Sequence, residues 1–138
     1  MERTTDRDLT WRIGGLPFTR EVFTVRVGDP LNHAFTPMIE HDVSQLPVVD
    51  HNSVLRGVIT WEGIARAQLS GGTATISQAM NPHPETARER EELFERMDRI
   101  QKSGFTIIVD GENSLIGILT STDLAGQLKG TYRAVHAS

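Results

Sequence analysis

The chain has 138 residues, of which 38% are hydrophobic and 23% charged, a globular balance that excludes a disordered or low-complexity chain. It contains no cysteine, which removes disulfides, thiolate metal sites and cysteine nucleophiles together. The formal net charge of −4, with no basic stripe, argues against nucleic acid or an anionic membrane as a partner.

The N-terminus, Met1-Glu2-Arg3-Thr4-Thr5-Asp6-Arg7-Asp8, is charged with no apolar segment behind it, unlike a secretory signal. No apolar run approaches the roughly 20 residues needed to cross a bilayer, so a cytoplasmic protein is expected, with residues 1–12 as an N-terminal tail. Asp29-Pro30 is a cap followed by a first-turn proline and predicts a helix running toward His41, kinked at Pro37. Leu46-Pro47-Val48-Val49-Asp50, the turn His51-Asn52-Ser53 and Leu55-Arg56-Gly57-Val58-Ile59-Thr60 then predict a hairpin. A short amphipathic stretch, Ile64-Ala65-Arg66-Ala67, follows and stops at Gly71.

Thr86-Ala87-Arg88-Glu89 fits a capping box and predicts the start of a second long helix. Leu93, Met97 and Ile100 recur along it at helical spacing, and Gly104 ends it. Glu92–Arg96, Glu95–Arg99 and Asp98–Lys102 are four apart with the acid first, as on a solvated face. Thr106-Ile107-Ile108-Val109-Asp110, the turn Gly111-Glu112-Asn113 and Leu115-Ile116-Gly117-Ile118-Leu119-Thr120 predict another hairpin, and Leu124-Ala125-Gly126-Gln127-Leu128 a helix stopped by Gly130.

The two hairpins superpose without a gap at an offset of 60 residues, Gly57 on Gly117 and Asp50 on Asp110. This is an internal repeat. Each copy reads β-α-β-β-α and has an apolar sheet face that it cannot bury alone. The expected fold is therefore α/β (α+β), two pseudo-symmetric repeats packed sheet to sheet. They span 13–72 and 73–130, with a C-terminal tail at 131–138.

The repeated strand, Asp, turn, Gly-Val-Ile-Thr or Gly-Ile-Leu-Thr, then helix, resembles the CBS domain, and the tandem pair resembles a Bateman module. Leu46-Pro47-Val48-Val49-Asp50 and Gly117-Ile118-Leu119-Thr120-Ser121-Thr122-Asp123-Leu124 carry the resemblance most specifically. Ile13-Gly14-Gly15-Leu16-Pro17 and Ile76-Ser77-Gln78-Ala79-Met80 stand where the family opens each repeat. The resemblance implies a sensor of an adenosyl compound (AMP, ADP, ATP or S-adenosylmethionine) in a cleft between repeats. It implies ligand-binding roles for Gly117, Ile118, Thr120, Ser121, Thr122 and Asp123, and for Leu46, Pro47 and Thr60 in the first repeat. The first repeat departs from the motif, with Gly63 where the second has Asp123. The second repeat has Thr106-Ile107 without proline, and His83-Pro84-Glu85-Thr86 in place of the Val22-Phe23-Thr24-Val25 segment.

The residues make a physical case beside the resemblance. A strand ending in Thr120 and turning into a helix leaves unpaired amides that suit a phosphate. Thr120 as the cap places Asp123 at the third helical position, and its acceptor-only carboxylate matches the two donors of a ribose diol. Gly117 admits a flat base or a facing strand. Thr-x-x-Asp is also an ordinary helix-start pattern whether or not a ligand exists.

His33, His41 and His51 match no compact metal motif and read as surface residues. Arg56 and Arg66 are placed to reach a phosphate or to stay in solvent, and Trp61 to stack on a base or pack. No nucleophile, base and orienting group form a recognisable set, so a binding module rather than an enzyme is expected. A homodimer and an effector protein are the expected partners. No cofactor is required. The alternatives are a ligand-free dimerisation or docking module, and sensing of S-adenosylmethionine or a divalent ion in the same cleft.

Overall fold

Runs of β-branched and apolar residues form six strands in two three-stranded sheets, in a computed structural model that describes residues 11–71 and 75–136. In one sheet β1 (Val25–Arg26) lies parallel to β2 (Gln45–Val49), which pairs antiparallel with β3 (Leu55–Thr60). In the other β4 (Thr86–Ala87) lies parallel to β5 (Phe105–Val109), with β6 (Leu115–Thr120) on the far side of β5. Parallel neighbours need a crossover, and α1 (Asn32–Glu40) and α4 (Leu93–Ser103) supply it. The hairpins lead into α2 (Trp61–Leu69) and α5 (Ser121–His136). A 3-10 turn at Ile13–Gly15 and the short α3 (Ile76–Ala79) open the two repeats. The β-α-β-β-α order is thus present twice.

The chain divides into two compact units that do not coincide with the sequence repeats. Among the described residues, one takes 11–20, Glu85–Gly111 and 116–136; the other takes those of Glu21–Pro84 and Glu112–Leu115. Each unit therefore contains the opening segment of the other repeat. In the first unit Ile13 N and Gly14 N donate to the Glu91 and Glu89 carbonyls at 2.9 and 2.7 Å, and Thr19 bridges to Ile118. Ile13 and Leu16 complete a core of Ala87, Leu93, Ile100, Ile108, Leu119 and Leu124. In the second unit a reciprocal Thr75–Gln78 capping box holds α3, and Asn81 exchanges both backbone bonds with Val58. Ile76 and Ala79 join Val25, Leu31, Met38, Leu46, Val48, Ile59 and Ile64 in its core.

The structure differs from the sequence expectations at the start of the first long helix, at Thr86-Ala87 and at the end of the last helix. The first long helix starts at Asn32 rather than after Asp29, whose carboxylate accepts from Arg26 N at 2.9 Å and so is spent on a turn. Pro37 lies inside that helix, where the amide that would bond to the His33 carbonyl is missing. Thr86 and Ala87 do not cap a helix. They form β4, with Ala87 only 1% exposed, and α4 begins at Leu93 with no side-chain cap. The second repeat therefore has its opening strand without the Val22-Phe23-Thr24-Val25 pattern of the first. Gly130 does not stop the last helix, which continues to His136 through the residues expected as a tail. Glycine ends a helix where the backbone turns left-handed, as Gly71 (φ +80°) and Gly104 (φ +85°) do. Most of the expected N-terminal tail, and the boundary between residues 72 and 73, lie outside the described residues. Trp11 packs against the core of the first unit.

Candidate functional site

Thr120 leaves β6 directly into α5, so the first amides of the helix have no partners within it. Local groups take several of them. Ser121 N donates to the Gly104 carbonyl at 2.9 Å, and Asp123 N to Thr120 Oγ1 at 3.1 Å. Thr120 N donates in return to Asp123 Oδ2 at 3.2 Å. This is a reciprocal capping box with aspartate in the acidic position. Thr120 and Asp123 are half-buried. An ionised carboxylate has about four acceptor sites, so Asp123 keeps capacity for donors from outside the chain.

Gly117 has a different neighbour from a base. A Cβ there would fall 2.5 Å from the Thr19 carbonyl oxygen and 2.6 Å from the Phe18 ring. The facing chain uses this glycine for close approach. Ile118 is buried and bridges to Thr19, Ser121 is half-buried, and Thr122 is exposed. These six residues gather at the end of β6 and the start of α5, within one unit. Leu46, Pro47 and Thr60 belong to the other unit. There Leu46 is a core residue, Pro47 lies buried opposite Val58, and Thr60 caps α2 by accepting from Gly63 N at 3.1 Å.

The two helix starts thus share a threonine cap and differ at the third position. A Cβ on Gly63 would sit 2.5 Å from the Ala79 carbonyl oxygen. The α3 backbone occupies the space that an acid would need.

Glu85 is a residue that the sequence reading missed. Ile107 replaces the proline of the first repeat and so keeps an amide, which donates to the Glu85 carbonyl at 3.0 Å. The fully buried Thr106 donates its hydroxyl to the same oxygen at 3.4 Å. The Glu85 carboxylate pairs with Arg96 at 3.3 Å and Arg99 at 3.7 Å. Arg96 also holds Glu91. Burial pushes the Glu91 carboxyl up, but the Arg96 hydrogen bond, the Arg88 amide and the charges of both arginines outweigh it and hold the group below its ordinary value. The absent proline was the available signal for this corner.

Four of the remaining candidates have structural partners. Trp61 stacks on Phe35, with ring centroids 6.5 Å apart and planes at 9°. Arg56 pairs with Asp50 at 3.6 Å, His33 approaches Asp29 at 3.8 Å, and His41 stacks on Phe23 at 4.0 Å. Among the described residues no three His, Asp or Glu side chains gather as metal ligands, and no helix is long and apolar enough to cross a membrane.

Comparison with known proteins gives the family and the fold. The family model described as the CBS domain matches residues 13–70 and 76–130. The chain is 32% identical over 115 residues to inosine-5'-monophosphate dehydrogenase of Methanocaldococcus jannaschii, covering 80% of this chain and 22% of that enzyme. The chain therefore spans about a fifth of this curated relative. Among solved structures, CBSX2 in complex with AMP superposes with a TM-score of 0.81 at 22% identity, over 89% of this chain and 99% of that one. The CBS domain pair of protein MJ0100, in complex with 5-methylthioadenosine and S-adenosyl-L-methionine, gives 0.76 at 26% identity, over 87% and 97%. With two family matches spread over nearly its whole length and a CBS-pair fold, the chain belongs to the CBS-domain family.

Proposed function

We propose that the chain is a regulatory module that senses an adenine nucleotide (AMP, ADP or ATP) at the second repeat, through Thr120 and Asp123. The observation that carries this reading is a half-buried carboxylate with spare acceptor capacity, fixed at the start of α5 in the repeat that keeps the full motif. Asp123 accepts the ribose hydroxyls, and Thr120 and the helix start face the anionic part of the ligand. AMP in CBSX2, and S-adenosylmethionine and methylthioadenosine in the MJ0100 pair, support an adenosyl ligand. The ligand acts by favouring one arrangement of the chain over another, read out by a second copy or an effector protein. We read the chain as a binding module with no chemistry of its own.

A ligand-free docking module is the second reading. The hydroxyl of Thr120 and one oxygen of Asp123 already serve the cap, which favours it. A thermal-shift screen separates the two. At a hundredfold excess over Kd a ligand adds about 2.7 kcal/mol, a rise of several degrees for a domain of this size. AMP or ATP is expected to give that rise. No rise with any adenosyl compound, S-adenosylmethionine included, or with divalent cations would leave the docking reading.

A further inference from the structure

The turn that follows β4 is tied down residue by residue. Arg88 N donates to Glu91 Oε1 at 2.8 Å, and Glu91 N returns a bond to the Arg88 carbonyl at 3.0 Å. Gly14 N holds the Glu89 carbonyl, Ile13 N the Glu91 carbonyl, and the Arg12 guanidinium the Arg90 carbonyl. From this fixed backbone the exposed side chains of Arg88 and Arg90 line an open hollow of about 400 Å³, shared with Val109, Asp110, Gly111 and Ile116.

The acids nearby are already engaged. Glu89, which also lines the hollow, pairs with Arg20 at 3.6 Å, and Glu91 pairs with Arg96. Asp110 has an interaction of its own. Arg20, Arg56, Arg96 and Arg99 are held in ion pairs, whereas Arg88 and Arg90 present exposed side chains to the hollow, Arg88 with its charge also acting on Glu91. A Cβ on Gly111 would lie 3.8 Å from Arg88 Nη1, so this guanidinium reaches across to the hairpin turn. The volume lies in the range of small-molecule sites. Two guanidinium forks on a fixed turn suit a phosphate, which they hold through paired charge-assisted bonds. Ile116, half-buried, offers an apolar surface beside them, with the buried Val109 at its edge.

We propose that this hollow is a second ligand site, taking a small organic phosphate with its anion on Arg88 and Arg90 and its apolar body on Ile116. It lies at the Val109 end of β5, whereas Thr120 and Asp123 lie at the Gly104 end. The proposal does not depend on what the Asp123 site binds. Phenyl phosphate titrated into the 15N-labelled chain, followed by amide NMR, tests it. The expected result is saturable shifts at Val109, Gly111 and Ile116. The double variant R88Q/R90Q should bind at least about tenfold more weakly, with an unchanged melting temperature because both side chains are exposed. Asp123→Ala should bind phenyl phosphate as the wild type does. Shifts that do not saturate, that centre on other residues, or that survive in full in R88Q/R90Q would overturn the proposal.

Discussion

Gly63→Asp, which writes the acid back into the first repeat, is expected to destabilise the chain by about 1–3 kcal/mol, as overpacking does, and to create no second nucleotide site. Sequence alone points the other way, since the substitution completes the motif and places an acid near a helix start. That placement gains only about 0.3–1 kcal/mol from the helix dipole, and replacing a helical glycine returns up to about 1 kcal/mol. Against these stands a Cβ 2.5 Å from the Ala79 carbonyl oxygen. This neighbour is backbone, held by the Thr75–Gln78 capping box and by the paired bonds between Asn81 and Val58, so it yields only if α3 moves. Gly63→Ala isolates the contact from the charge and should also lower the melting temperature. A Gly63→Asp chain that melts no lower and takes up two equivalents of AMP would show that the first repeat is open.

Asp123→Ala should weaken AMP or ATP binding about ten- to a hundredfold, because one charge-assisted hydrogen bond contributes about 1.5–3 kcal/mol. The variant should stay folded. It loses the bond from Thr120 N, worth about 1 kcal/mol as helix caps go, while Thr120 Oγ1 still caps the residue 123 amide. Asp123→Asn keeps an acceptor for Thr120 N and removes the charge, so it should keep stability and still bind less tightly. Calorimetric titration of the three proteins measures both quantities. Equal affinity in all three would remove Asp123 from the site.

The expectations that hold rest on local signals, although the local cap patterns at Asp29-Pro30 and Thr86-Ala87 and the glycine at 130 do not act as their sequence suggests. The hairpins, the stop at Gly104 and the Thr120–Asp123 cap each depend on neighbours a few residues away. Thr86-Ala87 has the local pattern of a cap. It becomes a strand because it pairs with Ile107 and Ile108 and because Ile107 supplies an amide to Glu85. The exchange of opening segments between the units was hidden for the same reason. Gly57, Gly63 and Gly117 are contacted by Asn81, Ala79 and Thr19, and no periodicity within a repeat reports those partners. At the candidate site the sequence supplied the residues and their local geometry. It left open which neighbour Gly117 serves, and gave no sign of the hollow beside Arg88 and Arg90, whose walls come from three separate stretches of chain.

A crystal structure of the full chain grown with saturating AMP tests the central claim most directly. One nucleotide per chain is predicted at the second repeat, with its ribose hydroxyls within hydrogen-bond distance of the Asp123 carboxylate and the Thr120–Asp123 cap still closed. AMP bound away from Asp123, or a chain that stays empty at saturating AMP, would contradict it.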